Sequence, residues 1–262
     1  MNPPGATPVL YYHSIADNRV SVSPRAFRAQ LAYLKQRGYR CTGIGEWLDR
    51  PQGAHEKPVV LTFDDGFACM HENVLPILNE FGFRATFFIV PGYVGTTLWG
   101  DPVTGRWSRE PSPGRVACPV MCWEQVLGLH RAGMEIGSHT LSHRNLTDLP
   151  EQDARREVTE SRRVLEQMLA TRVRGFSYPR GCVTQALAHL VQESGYDYAC
   201  TTQPGDLSSA MHRFLLPRVP GPSTVSELFF QVNRIAANPW TRSALRLARY
   251  VETRRRAADA TP

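Results

Sequence analysis

The sequence predicts an α/β fold, a parallel sheet or barrel wrapped by helices. Short apolar runs rich in β-branched and aromatic residues alternate with amphipathic helical stretches along most of the chain. Several of these runs stop at residues that can carry chemistry, as Val59-Val60-Leu61-Thr62-Phe63 stops at Asp64-Asp65-Gly66. Parallel α/β folds build their sites at the carboxyl ends of strands. His13, Asp64, Asp65, His139 and Pro179 all fall at such ends. At 262 residues, with no break in composition, the chain reads as one core domain, residues 1–238, followed by a basic helix and tail, residues 239–262.

Taken in order, Pro8-Val9-Leu10-Tyr11-Tyr12 is a first strand with His13 at its tip. Ser23-Pro24 opens a helix as N-cap and first residue, with Phe27, Leu31 and Leu34 on its buried face and Gly38 at its end. In the strand that ends at Phe63, successive side chains point to opposite faces, so Asp64 and Asp65 can take separate roles, one on a metal and one toward a substrate. An isolated Asp-Asp-Gly is more often a plain turn. Residues 72–81 read as a helix with Val74, Leu78 and Phe81 inward, and 85–90 as a buried strand. Residues 91–119, rich in glycine, proline and tryptophan, read as a long loop without regular structure. It is either a lid or substrate wall, with Trp99 and Trp107 available to stack on a ligand, or a tolerated surface insertion.

A helix is expected over 123–132, a strand over 134–138 ending in His139, and a long helix over 150–169 with Ala154, Val158, Leu165 and Met168 on one face. A strand over 175–178, the loop Pro179-Arg180-Gly181, a helix over 184–194 and a strand over 196–200 follow. Pro239 opens a last helix to about residue 256, on which Arg242, Arg246 and Arg249 share a face. It reads either as a packed terminal helix with a solvated basic side or as a contact with an anionic membrane surface.

A net charge of +6 and a pI near 9.2 favour anionic surroundings. Nucleic acid is excluded as a partner, because no basic run interleaved with aromatics occurs outside the last helix. No basic leader, apolar signal core or long apolar span occurs, so the chain is expected in the cytoplasm, with peripheral membrane contact at most. The six cysteines lack a paired Cys-x-x-Cys framework and read as reduced thiols. Nothing in the sequence sets an oligomeric state.

His139-Thr140-Leu141-Ser142-His143 carries the metal argument. Two histidines four apart can bring both imidazoles to one side of a helical turn, and with a carboxylate they make a three-ligand set with an open position. Alone, such a pair among eight histidines also fits capping or solvated side chains. The joint occurrence of strands ending Asp-Asp-Gly, Gly-Ser-His-x-x-x-His and Pro-x-Gly points to a site. An iron oxygenase uses two histidines and one carboxylate too, but on an all-β pattern.

Thr62-Phe63-Asp64-Asp65-Gly66, Gly137-Ser138-His139-Thr140-Leu141-Ser142-His143 and Phe176-Ser177-Tyr178-Pro179-Arg180-Gly181 resemble the first three motifs of the polysaccharide deacetylases, the NodB-homology domains of carbohydrate esterase family four. The resemblance implies a distorted (β/α) barrel of about seven parallel strands. It also implies metal-dependent removal of N-acetyl, sometimes O-acetyl, groups from sugars, with an N-acetylated glycan as partner. Asp64 is then the catalytic base. Asp65, His139 and His143 are the ligands of a divalent metal, zinc first, with cobalt, nickel or manganese as alternatives. Tyr178, Pro179, Arg180 and Gly181 line the groove, with the Arg180 N–H aimed at the oxyanion.

Two departures matter. Ser177 stands where the family carries an arginine that orients the base, so Arg180 or Arg218 must substitute. The usual C-terminal strand bearing a histidine acid is also missing, for the matching stretch reads Phe214-Leu215-Leu216-Pro217-Arg218-Val219-Pro220. Both departures resemble a circularly permuted branch that includes poly-N-acetylglucosamine deacetylases, whose chains begin with an apolar-Tyr-His strand as Leu10-Tyr11-Tyr12-His13 does here. His13 is therefore the expected general acid, with His212 its competitor. A non-catalytic carbohydrate-binding relative is the rival reading, and it should lack the base or a ligand.

Overall fold

In the computed structural model, which describes residues 7–17, 21–50, 57–100, 107–208 and 212–233, the apolar runs form the strands of one curled sheet. The elements are β1 (Thr7–Tyr12), α1 (Pro24–Gln36), β2 (Tyr39–Thr42), α2 (Ile44–Asp49), β3 (Lys57–Phe63), α3 (Leu75–Phe81), β4 (Thr86–Ile89), β5 (Thr97–Gly100), β6 (Trp107–Ser108), β7 (Val116–Pro119), α4 (Trp123–Arg131), β8 (Glu135–Ser138), α5 (Glu151–Leu169), β9 (Gly175–Ser177), α6 (Gln185–Glu193), β10 (Tyr198–Cys200), β11 (Asp206–Leu207), β12 (Val219–Pro220) and α7 (Val225–Asn233). Parallel strands run in the order β10-β9-β8-β4-β3-β1, with β2 added beside β3 and β11 antiparallel to β1. Residues 213–220 span the seam between the outermost strands of the curl. Leu216 bridges to Cys200 of β10, and β12 pairs in parallel with Leu10 and Tyr11 of β1. With β12 as the seventh parallel strand of the ring, this is the expected distorted barrel.

Alternation along the strands divides the core. Val9, Val60, Phe88, Tyr198 and Leu216 form one cluster inside the curl with Ile44 and Trp47 of α2. Their neighbours Leu10, Leu61, Phe63, Phe87 and Phe176 join the larger cluster under the surrounding helices. Helix α2 plugs the end where strands begin. Glu135 at the start of β8 accepts from the Gly45 N–H (2.9 Å) and from Thr86 Oγ1 (2.6 Å), and the Trp47 indole donates to Thr7 Oγ1 (3.0 Å).

The structure departs from the expected elements in several places. Residues 72–81 are not one α-helix: a π-helical turn at Met70–Val74 precedes α3, because Pro76 has no N–H to donate to the Glu72 carbonyl. The segment 91–119 is not structureless, since β5, β6 and β7 form a separate antiparallel sheet in the order β6-β5-β7. Met168 lies 37% exposed, and Leu169 takes its place on the buried face of α5. The expected basic helix from Pro239 and the domain limit at residue 238 lie outside the described residues. No described helix is long and apolar enough to cross a membrane.

The seam carries a buried ion pair. Arg218 is fully buried, as is the Asp64 that faces it at 2% exposure. Its Nη1 and Nη2 donate to Asp64 Oδ1 and Oδ2, both at 2.8 Å. Nη1 also reaches Thr62 Oγ1 (3.1 Å), Nη2 reaches Ser177 Oγ (2.8 Å), and Nε reaches the Thr201 carbonyl (3.0 Å). Burial alone pushes the Asp64 carboxyl pKa up, but the charge of Arg218, then His139, the Arg218 hydrogen bonds and His13 bring it down to about 2.

Removing one member of such a pair leaves the other charged and unpaired. Arg218→Met should therefore destabilise the metal-free protein by about 3–5 kcal/mol at neutral pH. The folded pKa of Asp64 lies below the unfolded value of about 3.9, so this carboxylate stabilises the fold above roughly pH 4 and loses that contribution as pH falls toward 2. In the variant burial dominates, and protonation relieves it. Denaturant titrations should show the gap between wild type and variant narrowing from pH 7 to pH 3; a gap that widens on acidification contradicts the assignment.

Candidate active site

The parallel register brings the expected residues to one end of the barrel. Tyr12 pairs with Phe63, and the Asp64 N–H continues that ladder by donating to the Tyr12 carbonyl at 2.9 Å, so His13 and Asp64 follow adjacent strand ends. The His139 N–H likewise extends β8 onto the Ile89 carbonyl, and the Tyr178 N–H extends β9 onto the Cys200 carbonyl. Immediately afterwards Asp65 (φ 75°) and Gly66 (φ 82°) are both left-handed, which turns the chain away from the sheet and parts Asp65 from Asp64.

Asp65, His139 and His143 each offer one donor atom, and these atoms lie within 4.8 Å of one another. Asp65 Oδ1 stands 3.6 Å from His139 Nε2 and 3.3 Å from His143 Nε2, and it is buried without a hydrogen-bond partner. Donors held about 2.0–2.2 Å from a tetrahedral cation lie roughly 3.4 Å apart, so the spacing and the orphaned oxygen both fit a metal. His139 Nδ1 lies 2.7 Å from the Ser177 carbonyl, an acceptor that places the proton on Nδ1 and the lone pair on Nε2. Burial pushes its pKa down to about 4, against the opposing charge of Asp64, so the ring is neutral and able to ligate at physiological pH.

The four-residue histidine spacing works differently from the expected helical turn. Residues 139–143 form a loop in which Thr140 (φ 64°) and His143 (φ 57°) are left-handed. The two rings meet edge to face with centroids 4.9 Å apart.

Of the two candidates to replace the missing arginine, Arg218 is the one at Asp64. The Arg180 side chain is exposed. Ser177 is small where the guanidinium enters, and its hydroxyl accepts from it. Arg180 (φ 59°) and Gly181 (φ 70°) make a tight left-handed turn, and only glycine fits the second position, where a Cβ would collide with Thr202. Tyr178 is not brought to the site as a side chain: its ring is fully buried beside Phe176 and its hydroxyl donates to the Phe214 carbonyl at 3.2 Å.

His13 is exposed at the tip of β1, edge-on to Tyr11 at 5.6 Å, and lies close enough to Asp64 to be among the groups that lower that carboxyl's pKa. His212 lies upstream on the seam segment, which runs toward the site. There it accepts from the Phe214 N–H through Nδ1 (3.3 Å). The antiparallel insert docks on the loop after Asp65: the Met121 N–H donates to the Gly66 carbonyl and the Ala68 N–H to the Pro119 carbonyl. Trp99 is half-buried in β5, and the Trp107 side chain lies outside what the structure describes. Sequence reading missed Thr62, Tyr93 and Glu157. Glu157 had a signal, a carboxylate on the stripe of Ala154, Val158 and Ser161 that α5 buries.

Comparisons with known proteins bear on the family and the fold. The family model described as polysaccharide deacetylase matches residues 52–199. YxkH of Bacillus subtilis (strain 168), named as a candidate polysaccharide deacetylase, is 27% identical over 220 residues, 82% of this chain and 71% of its own length. The poly-beta-1,6-N-acetyl-D-glucosamine N-deacetylase of Escherichia coli (strain K12) is 33% identical over 135 residues, 48% of this chain but 18% of that protein. The Streptococcus pyogenes deacetylase PplD, solved with acetate, superposes with a TM-score of 0.72 over 88% of this chain and 99% of its own, at 21% identity, a likeness of fold. With the family model matching more than half of its length, this chain belongs to the polysaccharide deacetylase family.

Proposed function

We propose that the chain is a metal-dependent hydrolase that removes N-acetyl groups from N-acetylated sugars in a polysaccharide or glycan precursor. One observation carries the reading. The orphaned Asp65 oxygen converges with two imidazoles at the same strand ends where Arg218 holds Asp64 ionised. Two imidazoles and one carboxylate suit zinc first, with cobalt, nickel or manganese as alternatives for the same donors. Family membership and the E. coli relative's printed activity support the N-acetylated glycan as substrate.

Asp65, His139 and His143 would hold a divalent cation, which when bound would supply Lewis acidity toward the acetyl carbonyl and lower the pKa of a water. Asp64 accepts the proton that this water loses. Its low pKa keeps it ionised at working pH, and the two-point grip of Arg218 fixes the direction of its free lone pairs. The Arg180 N–H donates to the oxyanion as the carbonyl becomes tetrahedral, a type of contact whose loss costs about 3 kcal/mol. His13 gives a proton to the departing nitrogen, which leaves as an amine because an amide anion is too poor a leaving group. Acetate and the free amino sugar result. For the basic end of the chain, peripheral contact with anionic lipid is the alternative to a packed helix with a solvated basic side.

Acetate release from N-acetylglucosamine oligosaccharides should stop on addition of a chelator and return with zinc. Absent or chelator-insensitive release across several N-acetylated glycans would overturn the reading. His13→Ala should keep its metal content while turnover falls by about 10²-fold or more. Near-normal turnover in that variant, together with loss in His212→Ala, would assign the acid to the C-terminal side.

A further inference from the structure

The loop that carries both histidine donors does not hold its shape unaided. Thr140 and His143 are non-glycine residues in left-handed backbone, and Thr140 is β-branched, for which that region is especially unfavourable. Such a conformation persists only where surrounding contacts enforce it. Here all four backbone polar groups of Leu141 and Ser142, the two residues between the strained ones, are taken. From α5, the Glu157 carbonyl accepts from the Leu141 N–H (3.1 Å) and Glu157 Oε2 from the Ser142 N–H (2.8 Å). From the opposite side, the Gly92 N–H donates to the Leu141 carbonyl (2.9 Å) and the Tyr93 hydroxyl to the Ser142 carbonyl (2.8 Å). Ser142 Oγ completes the grip on Glu157 Oε1 at 2.5 Å. Gly92 is required for the approach, since a Cβ there would collide with the Leu141 oxygen.

The two histidines do not depend on this clamp equally. His139 continues β8 and is fixed a second time by the Ser177 carbonyl. His143 lies beyond the clamp with its side chain 24% exposed. Glu157 itself is only 7% exposed, and both its oxygens are directed at Ser142. The opposite jaw is continuous with the antiparallel insert: the Arg109 guanidinium sits 4.8 Å over the Tyr93 ring and its Nη2 donates to the Gly92 carbonyl at 3.0 Å.

We infer that Glu157 is a positioning residue of the metal centre: its carboxylate, opposed by Tyr93, holds the loop of residues 139–143 in its left-handed form and so sets His143 against Asp65. The inference rests on the metal role proposed above for Asp65, His139 and His143.

Zinc affinity of the metal-free full chain, measured by competition with a chromophoric chelator, tests it beside the melting temperature of the same metal-free samples. Glu157→Ala should bind zinc about 10- to 100-fold more weakly, the usual effect of losing a partner behind a metal ligand. Glu157→Gln should stay within about threefold of wild type, because its amide oxygen can take the Ser142 N–H while its NH₂ donates to Ser142 Oγ. A lowered melting temperature with unchanged zinc affinity in Glu157→Ala would make the residue merely structural and overturn the inference. So would a Glu157→Gln variant as weak as Glu157→Ala. If Glu157→Ala does not fold, Ser142→Ala and Tyr93→Phe decide: each should weaken zinc binding several-fold, and wild-type affinity in both refutes the clamp. Folded wild-type protein that binds no zinc removes the metal reading and the inference together, whereas wild-type binding with unchanged variants removes the inference alone.

Discussion

Asp64 and Arg218 occupy the barrel interior at almost no exposure, where either charge alone would be costly. They are tolerated because each satisfies the other along two parallel hydrogen bonds, and because Thr62, Ser177 and the Thr201 carbonyl take the remaining donors of the guanidinium. Tyr11 and Phe88 flank its cationic carbon at 5.1 and 5.5 Å, so the buried charge also meets aromatic faces. One interaction thus joins three tasks. It ties the seam segment to β3 and β9, it fixes the direction of the Asp64 carboxylate, and it keeps that carboxylate ionised beside the candidate metal ligands.

The neighbouring carboxylates show how far backbone geometry can separate two identical groups. Asp64 continues the extended strand and points inward to a cation supplied by the protein. Asp65 enters left-handed backbone one residue later and faces the imidazoles of His139 and His143, with its Oδ1 buried and without a hydrogen-bond partner. A carboxylate paired on both oxygens and one with an unpartnered buried oxygen thus stand side by side in sequence, and only the second joins the group that could hold a cation.

Much of this was legible in the sequence, because the signals are local. Apolar runs gave the strands β1, β3, β4, β8, β9 and β10, and their carboxyl ends gave Asp64, Asp65 and His139. The illegible parts depend on partners remote in the chain. Helix α2 has no side-chain cap of its own, and its first N–H groups are met by Thr86 and Glu135, so no start signal precedes it. The strands of the insert are two to four residues long, too short for alternation to register. The histidine loop mimics a helical spacing while its real shape is imposed by Gly92, Tyr93 and Glu157. Ser177 read as a defect in a motif, and it became intelligible only once Arg218, 41 residues further on, was seen to reach it.

The seam has a consequence for how the protein is made. Asp64 and Arg218 are 154 residues apart, and a ribosome delivers the carboxylate long before the guanidinium. At about 5–20 residues per second the interval is on the order of ten seconds. Until residues 213–220 emerge, burying the end of β3 would desolvate a negative charge without its partner, a cost that disfavours closing the curl between β1 and β10. Final closure is therefore coupled to completion of this part of the chain, and a high sequence separation that slows folding also protects the barrel from sealing around an incomplete centre.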